Sequence, residues 1–138
     1  MATLYMVGVP IGNLEDITVR ALRILGEVDF IVCEDTRHSQ RLLGHFGIHK
    51  KLYSAHGYNE DRAANGIVAQ LDQGLDGAYI SDAGTPGISD PGGRLADAAA
   101  AAGHTVCPIP GPSALSAILS VAGLPGKSFL FEGFLSPK

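Results

Sequence analysis

Four side chains stand where a short apolar run gives way to a polar loop: the adjacent carboxylates Glu34 and Asp35, the imidazole of His56 and the carboxylate of Asp82. Groups of these types, within hydrogen-bond reach of a hydroxyl nucleophile, can take its proton as its oxygen forms a new bond. Each also has a plainer use. Two acids before Arg37 suit an ion pair, a histidine beside Gly57 suits a turn, and Asp82 suits capping of its own loop. Charge is the second chemical feature. From Arg37 to Lys51 the charged residues are Arg37, Arg41, Lys50 and Lys51, with three histidines and no acid, so this segment carries +4 in a chain of net charge −4. Such a run is either a solvated face or a contact for a polyanion. The five histidines lack metal-ligand spacing with Cys33, Cys107 or a carboxylate, and no metal is expected.

The elements that must position these groups follow from periodicity. Leu4 to Val9, Phe30 to Cys33, Leu52-Tyr53, Ala78 to Ile80 and Thr105 to Cys107 read as short buried strands. Each is followed by apolar residues at helical spacing: Ile17 to Val28, Leu42 to Phe46, Ala64 to Leu71, Leu95 to Ala102, and Ser113 to Ala122. Strands alternating with helices predict an α/β fold, an open, mostly parallel five-stranded sheet with helices on both faces. A chain of 138 residues, 46% hydrophobic and 17% charged, can fill one such core without a disulfide and is not generally disordered. Two cysteines in apolar runs fit a reducing compartment. With no basic leader and no apolar run near the ~20 residues of a span, the expectation is cytoplasmic, away from membranes.

Ligands of open α/β sheets gather at the carboxyl ends of the strands. Three loops there are rich in glycine and proline: Gly8-Val9-Pro10-Ile11-Gly12-Asn13, residues 81–93, and Pro108-Ile109-Pro110-Gly111-Pro112-Ser113. The middle one, at thirteen residues, exceeds the usual ~2–6 residue connector. Proline fixes φ and glycine admits positive φ, so these loops are stiff, with little side-chain bulk. They are not phosphate cradles. Pro10 occupies the second glycine position of a dinucleotide fingerprint and has no N–H to offer. Gly126-Lys127-Ser128 resembles the end of a P-loop, but its leading glycine position holds Val121. Loops poor in basic residues and N–H donors suit a cationic or zwitterionic nucleoside.

Five stretches in order carry a family resemblance: residues 10–18, Glu34-Asp35-Thr36-Arg37-His38, residues 81–92, Pro110-Gly111-Pro112-Ser113-Ala114, and Phe131-Glu132-Gly133-Phe134-Leu135. Through them the chain resembles the N-terminal domain of the tetrapyrrole methylase superfamily. More narrowly it is similar to the ribosomal RNA small-subunit methyltransferase I group, which methylates the ribose 2′-oxygen of a decoding-centre cytidine. Two departures stand out. Gly8 is more typical of the wider superfamily, and Thr85 stands where tetrapyrrole-modifying members carry Asp.

The resemblance implies S-adenosylmethionine as methyl donor, held by Pro10, Ile11, Asp82, Ala83, Gly84, Thr85, Ile88, Ser89, Ser113 and Ala114. For the ribose hydroxyl it leaves Glu34, Asp35 and His56 as candidate bases, with Asp82 behind them. Arg37, Arg41, Lys50 and Lys51 become the expected contact with small-subunit ribosomal RNA. The resemblance also implies a homodimer and a second α/β domain. Residues 1–127 would be the first domain, carrying half of the donor cleft, and residues 128–138 the start of the linker. The expectation is thus an N-terminal fragment, inactive alone. The apolar helix from Ser113 and the crowded Phe129, Phe131 and Phe134 expect cover from such partners. Two alternatives stay open: methylation of a tetrapyrrole or other small molecule, and a non-catalytic α/β binding or dimerisation module.

Overall fold

Short apolar runs of four or five residues, separated by amphipathic segments, give five strands and five α-helices among the described residues. The computed structural model describes residues 1–89, 92–123 and 128–137. Asp90 and Pro91 of the long loop, Gly126 and Lys127, the expected boundary at residue 127, and Lys138 lie outside the described residues. The order is β1 (Thr3–Val7), α1 (Val19–Glu27), β2 (Phe30–Cys33), α2 (Thr36–His45), β3 (Lys51–Ser54), α3 (Glu60–Asp72), β4 (Gly77–Ile80), α4 (Gly93–Ala101), β5 (Thr105–Ile109) and α5 (Ala114–Val121). All pairings are parallel, in the order β3-β2-β4-β1-β5. This is the expected α/β sheet.

Side chains alternate across it. Ile31 and Cys33 join Val7, Ala78 and Ile80 under Ile24 and Leu25 of α1 and Leu43 of α2. Phe30 and Val32 join Leu4 and Tyr79 on the other face, under Ile67 and Leu71 of α3 and Leu95 and Ala99 of α4. Each such large aliphatic side chain, fully buried, contributes about 1.5–3 kcal/mol. Right-handed crossovers dictate this division. The chain moves one way along the sheet from β1 to β3, then the other way through β4 to β5. The neighbours β1 and β4 therefore send their helices to opposite faces, and a crevice opens between their carboxyl ends.

That crevice is bridged by backbone. Val9 leaves the β1 ladder and exchanges two hydrogen bonds with Gly84, N to O and O to N, both 3.0 Å. The expected first strand therefore stops two residues early. Gly84 sits at φ +77°, a conformation that side-chain-bearing residues rarely adopt. On the other side, Gly8 meets Gly111 backbone to backbone: a Cβ on Gly8 would lie 2.9 Å from Gly111 Cα. β5 runs two residues further than expected, through Pro108. It is an edge strand, so the missing N–H of proline costs no ladder bond on its open side.

Gly8→Ala is expected to cost about 1–3 kcal/mol, because the new methyl must push two backbones apart. Gly26→Ala, within α1 and with open space around it, is expected to stabilise by about 0.4–1 kcal/mol. Urea denaturation of the two variants checks the contrast, and equal shifts would refute the close approach.

Candidate functional site

Three of the five strand-to-helix loops meet at the carboxyl edge. Beyond the Val9–Gly84 bridge, Thr85 Oγ1 donates to Pro112 O at 3.0 Å, tying the β4 loop to the β5 loop. Ile11 Cγ2 would lie 3.3 Å from a Cβ on Gly84. Ser81 Oγ folds the β4 loop on itself by donating to Ala83 O at 3.0 Å. The segments around residues 10, 84 and 112 thus form one cluster.

Among the described residues several pockets border it, and two of them together gather all ten residues expected to hold the methyl donor. The first, about 390 Å³, is lined by Ile11, Ala83, Gly84, Thr85, Ile88, Ser89, Ser113 and Ala114, together with Leu115, Phe131, Gly133 and Phe134. It gathers eight of the ten residues expected to hold the methyl donor, and its size falls within the ~300–1,000 Å³ of small-molecule sites. The start of α5 forms part of its wall, and Ser113 makes no side-chain cap there. Uncapped N–H groups in the first turn suit a carboxylate. The aromatic side chains near the C-terminus were legible as crowded apolar residues, yet nothing in their spacing said that they would fold back onto this wall.

Pro10 and Asp82, the other two expected donor residues, line the second pocket. It measures about 520 Å³ and also contains Gly12, Asn13, Leu14, His38, Arg41, Leu42, His45 and Ala83. Sequence reasoning missed His38 and His45 here. Their spacing along α2 was the available signal, because residues seven apart share a helix face.

The Glu34-to-His38 stretch acquires a structural logic. Asp35 caps α2, its Oδ1 accepting from Arg37 N at 3.0 Å and His38 N at 3.5 Å. The side chain of His38, in the first turn of α2, then reaches Asp82: its Nε2 donates to Asp82 O at 2.8 Å, which requires the proton on Nε2. Glu34 Oε1 accepts from Asp82 N at 3.1 Å. The backbone of Asp82 is held from both sides, by Glu34 just after β2 and by His38 of α2. Its own carboxylate is not: Oδ1 is buried and has no hydrogen-bond partner among the described residues. An unmade bond of this kind costs roughly 1–3 kcal/mol or more.

His56 lies elsewhere. It follows the edge strand β3, accepts from Tyr58 N at 3.3 Å through Nδ1, and lines neither pocket. The basic residues separate too. Arg37 and Arg41 stand on the first two turns of α2 and border a concavity with Gln40. Lys50 and Lys51 lie at the opposite edge, since Lys51 pairs with Phe30 at the start of β2. A ten-residue helix carries the chain back by about 15 Å, so the run does not all border the loop cluster. Gln40 nonetheless lines both basic concavities and makes them neighbours.

Cys33, fully buried at the end of β2, has its thiol pushed above the usual range by burial, with Asp82, Asp35 and Glu34 adding to the effect. It is a packing residue, not a nucleophile. Among the described residues no three His, Cys, Asp or Glu side chains are grouped to hold a metal ion, and no helix is long and apolar enough to cross a membrane.

The comparisons with known proteins bear on the family and the fold. The family model of Tetrapyrrole (Corrin/Porphyrin) Methylases matches residues 3–137. Ribosomal RNA small subunit methyltransferase I of Xylella fastidiosa is 55% identical over 136 residues, which is 99% of this chain and 50% of that protein. Its counterpart in Pseudomonas aeruginosa is 54% identical, over 99% of this chain and 48% of the relative. The chain spans about half the length of the curated relatives it matches. Among solved structures, uroporphyrin-III-C-methyltransferase from Thermus thermophilus superposes with a TM-score of 0.68 at 25% identity, covering 91% of this chain and 53% of that one.

If Asp35 serves as a helix cap, Asp35→Ala will lower stability by about 1 kcal/mol, while Asp35→Asn, an equally good cap, will hold it within a few tenths. Equal losses for both variants in chemical denaturation would exclude the capping role.

Proposed function

Because this chain belongs to the tetrapyrrole (corrin/porphyrin) methylase family, we propose that it carries the donor-binding half of an S-adenosylmethionine-dependent methyltransferase acting on the ribose 2′-oxygen of a cytidine in small-subunit ribosomal RNA. The observation that carries this reading is the convergence of three glycine- and proline-rich loops on the 390 Å³ pocket beside the α5 N-terminus. In this reading Ile11, Ile88, Leu115 and Phe131 enclose the nucleoside, and the first turn of α5 meets the methionine carboxylate. Loop carbonyls and the Ser89 and Ser113 hydroxyls face the cationic groups. The donor supplies an activated methyl group, while the chain supplies orientation and exclusion of water.

Arg37 and Arg41 flank the cluster and would meet the RNA backbone first, with Lys50 and Lys51 one helix length behind. A net charge of −4 concentrates the attraction for RNA on this strip. The exposed apolar residues Ile118 and Val121 of α5, and Phe134 and Leu135, match a surface covered by a second domain, by a second copy, or by both. Residues 128–137 would lead into that domain. A cytoplasmic location fits the ribosomal substrate.

Three measurements test the proposal on the full-length protein. Calorimetry is expected to find one S-adenosylmethionine per chain, with binding lost in Ala114→Trp, whose side chain would fill the pocket. Arg37→Gln with Arg41→Gln should weaken RNA binding and lower the slope of log K against log salt by up to about 0.7 for each phosphate no longer neutralised. Mass mapping of small-subunit RNA from a strain lacking the gene should find one ribose methyl missing at a decoding-centre cytidine. Unchanged methylation there would overturn the assignment of the acceptor.

A further inference from the structure

We propose that the second pocket, between the β1 loop, α2 and the β4 loop, receives the acceptor nucleotide, and that Asp82 takes the proton from its ribose hydroxyl. This rests on the methyl-transfer reading above and adds to it the place of the acceptor and the identity of the base. The two pockets share Ala83, and the consecutive residues Pro10 and Ile11 line one each. A donor and an acceptor that must meet at one methyl group need two sites with a common wall.

The lining of the second pocket matches a nucleotide in its parts. Pro10, Leu14 and Leu42 supply apolar surface, and His38 and His45 supply ring faces on which a base can stack. Arg41 stands at the same pocket and at the neighbouring basic concavity, where a phosphate entering along α2 would arrive. Asp82 is the one carboxylate among the lining residues, and its Oδ1 has no hydrogen-bond partner among the described residues. The two acids that follow β2 are already engaged: Asp35 caps α2, and Glu34 accepts the Asp82 N–H. Glu34 and His38 act as positioning residues, because they fix the Asp82 backbone from either side. The step balances. As the acceptor oxygen bonds to the methyl carbon, its proton passes to the Asp82 carboxylate. The methyl–sulfur bond breaks with its electron pair remaining on sulfur, so the sulfonium leaves as a neutral thioether.

Asp82→Asn in the full-length protein separates the possibilities. The expected result is S-adenosylmethionine affinity within about twofold of wild type and single-turnover methyl transfer reduced about 10²–10⁴-fold. Loss of donor affinity by tenfold or more would assign Asp82 to the donor pocket and overturn the inference while leaving the methyltransferase reading intact. Transfer within threefold of wild type would overturn it equally. A wild type that binds no donor would instead remove the reading on which the inference stands. A measurement free of turnover uses a short cytidine-containing RNA and the imidazole NMR signals of the wild-type protein. Those of His38 and His45 should move on titration and that of His104, paired with Asp72 at 2.7 Å, should not. RNA that binds without moving His38 or His45 would displace the acceptor from this pocket.

Discussion

Two backbone hydrogen bonds between Val9 and Gly84 hold the site together. Parallel strands whose helices depart to opposite faces leave a gap between their carboxyl ends, and a gap is not yet a binding surface. The bridge closes its floor and brings the β1 and β4 loops into contact. The Gly8–Gly111 approach and the Thr85 hydroxyl on Pro112 then bring in the β5 loop. Side chains contribute little to these joints, which is why small residues dominate the loops. Backbone bonded to backbone fixes the shape and leaves the few larger side chains free to face a ligand.

The sequence was most informative where periodicity and local rules determine the outcome. Ile31 and Cys33 against Phe30 and Val32 reveal a strand buried on both faces, and the structure pairs all four residues within the sheet. The loops were legible for the same reason, since proline and glycine act on their own backbone. Long-range features were not. Pro108 looked like a strand end until the edge position of β5 made its missing N–H harmless. The short 3-10 turn Leu14–Asp16, with Asn13 Oδ1 accepting from Glu15 N at 3.0 Å, had no periodic signature. The charge run from Arg37 to Lys51 was visible as composition, but only the return of α2 across the sheet separates its two ends.

Glu34-Asp35-Thr36-Arg37-His38 illustrates how a motif can mislead by residue type. Adjacent acids invite a chemical role, and a following arginine invites an ion pair. The geometry makes Asp35 a cap and gives Glu34 and His38 to the backbone of a residue 48 and 44 positions away. The residue they hold, Asp82, is the one carboxylate that lines the pocket beside α2. A rigid support of this kind keeps a carboxylate in place without satisfying it, a state that folding alone would not select.

The partition formed by Ala83 has a bearing on inhibitor design. A molecule that fills one pocket and extends past this residue reaches the other over a short span, so its second half binds at high effective concentration. A short linker joining a nucleoside to a sulfonium mimic would exploit that adjacency. Bulk at position 83 would discriminate against such a bridged compound more severely than against either half alone.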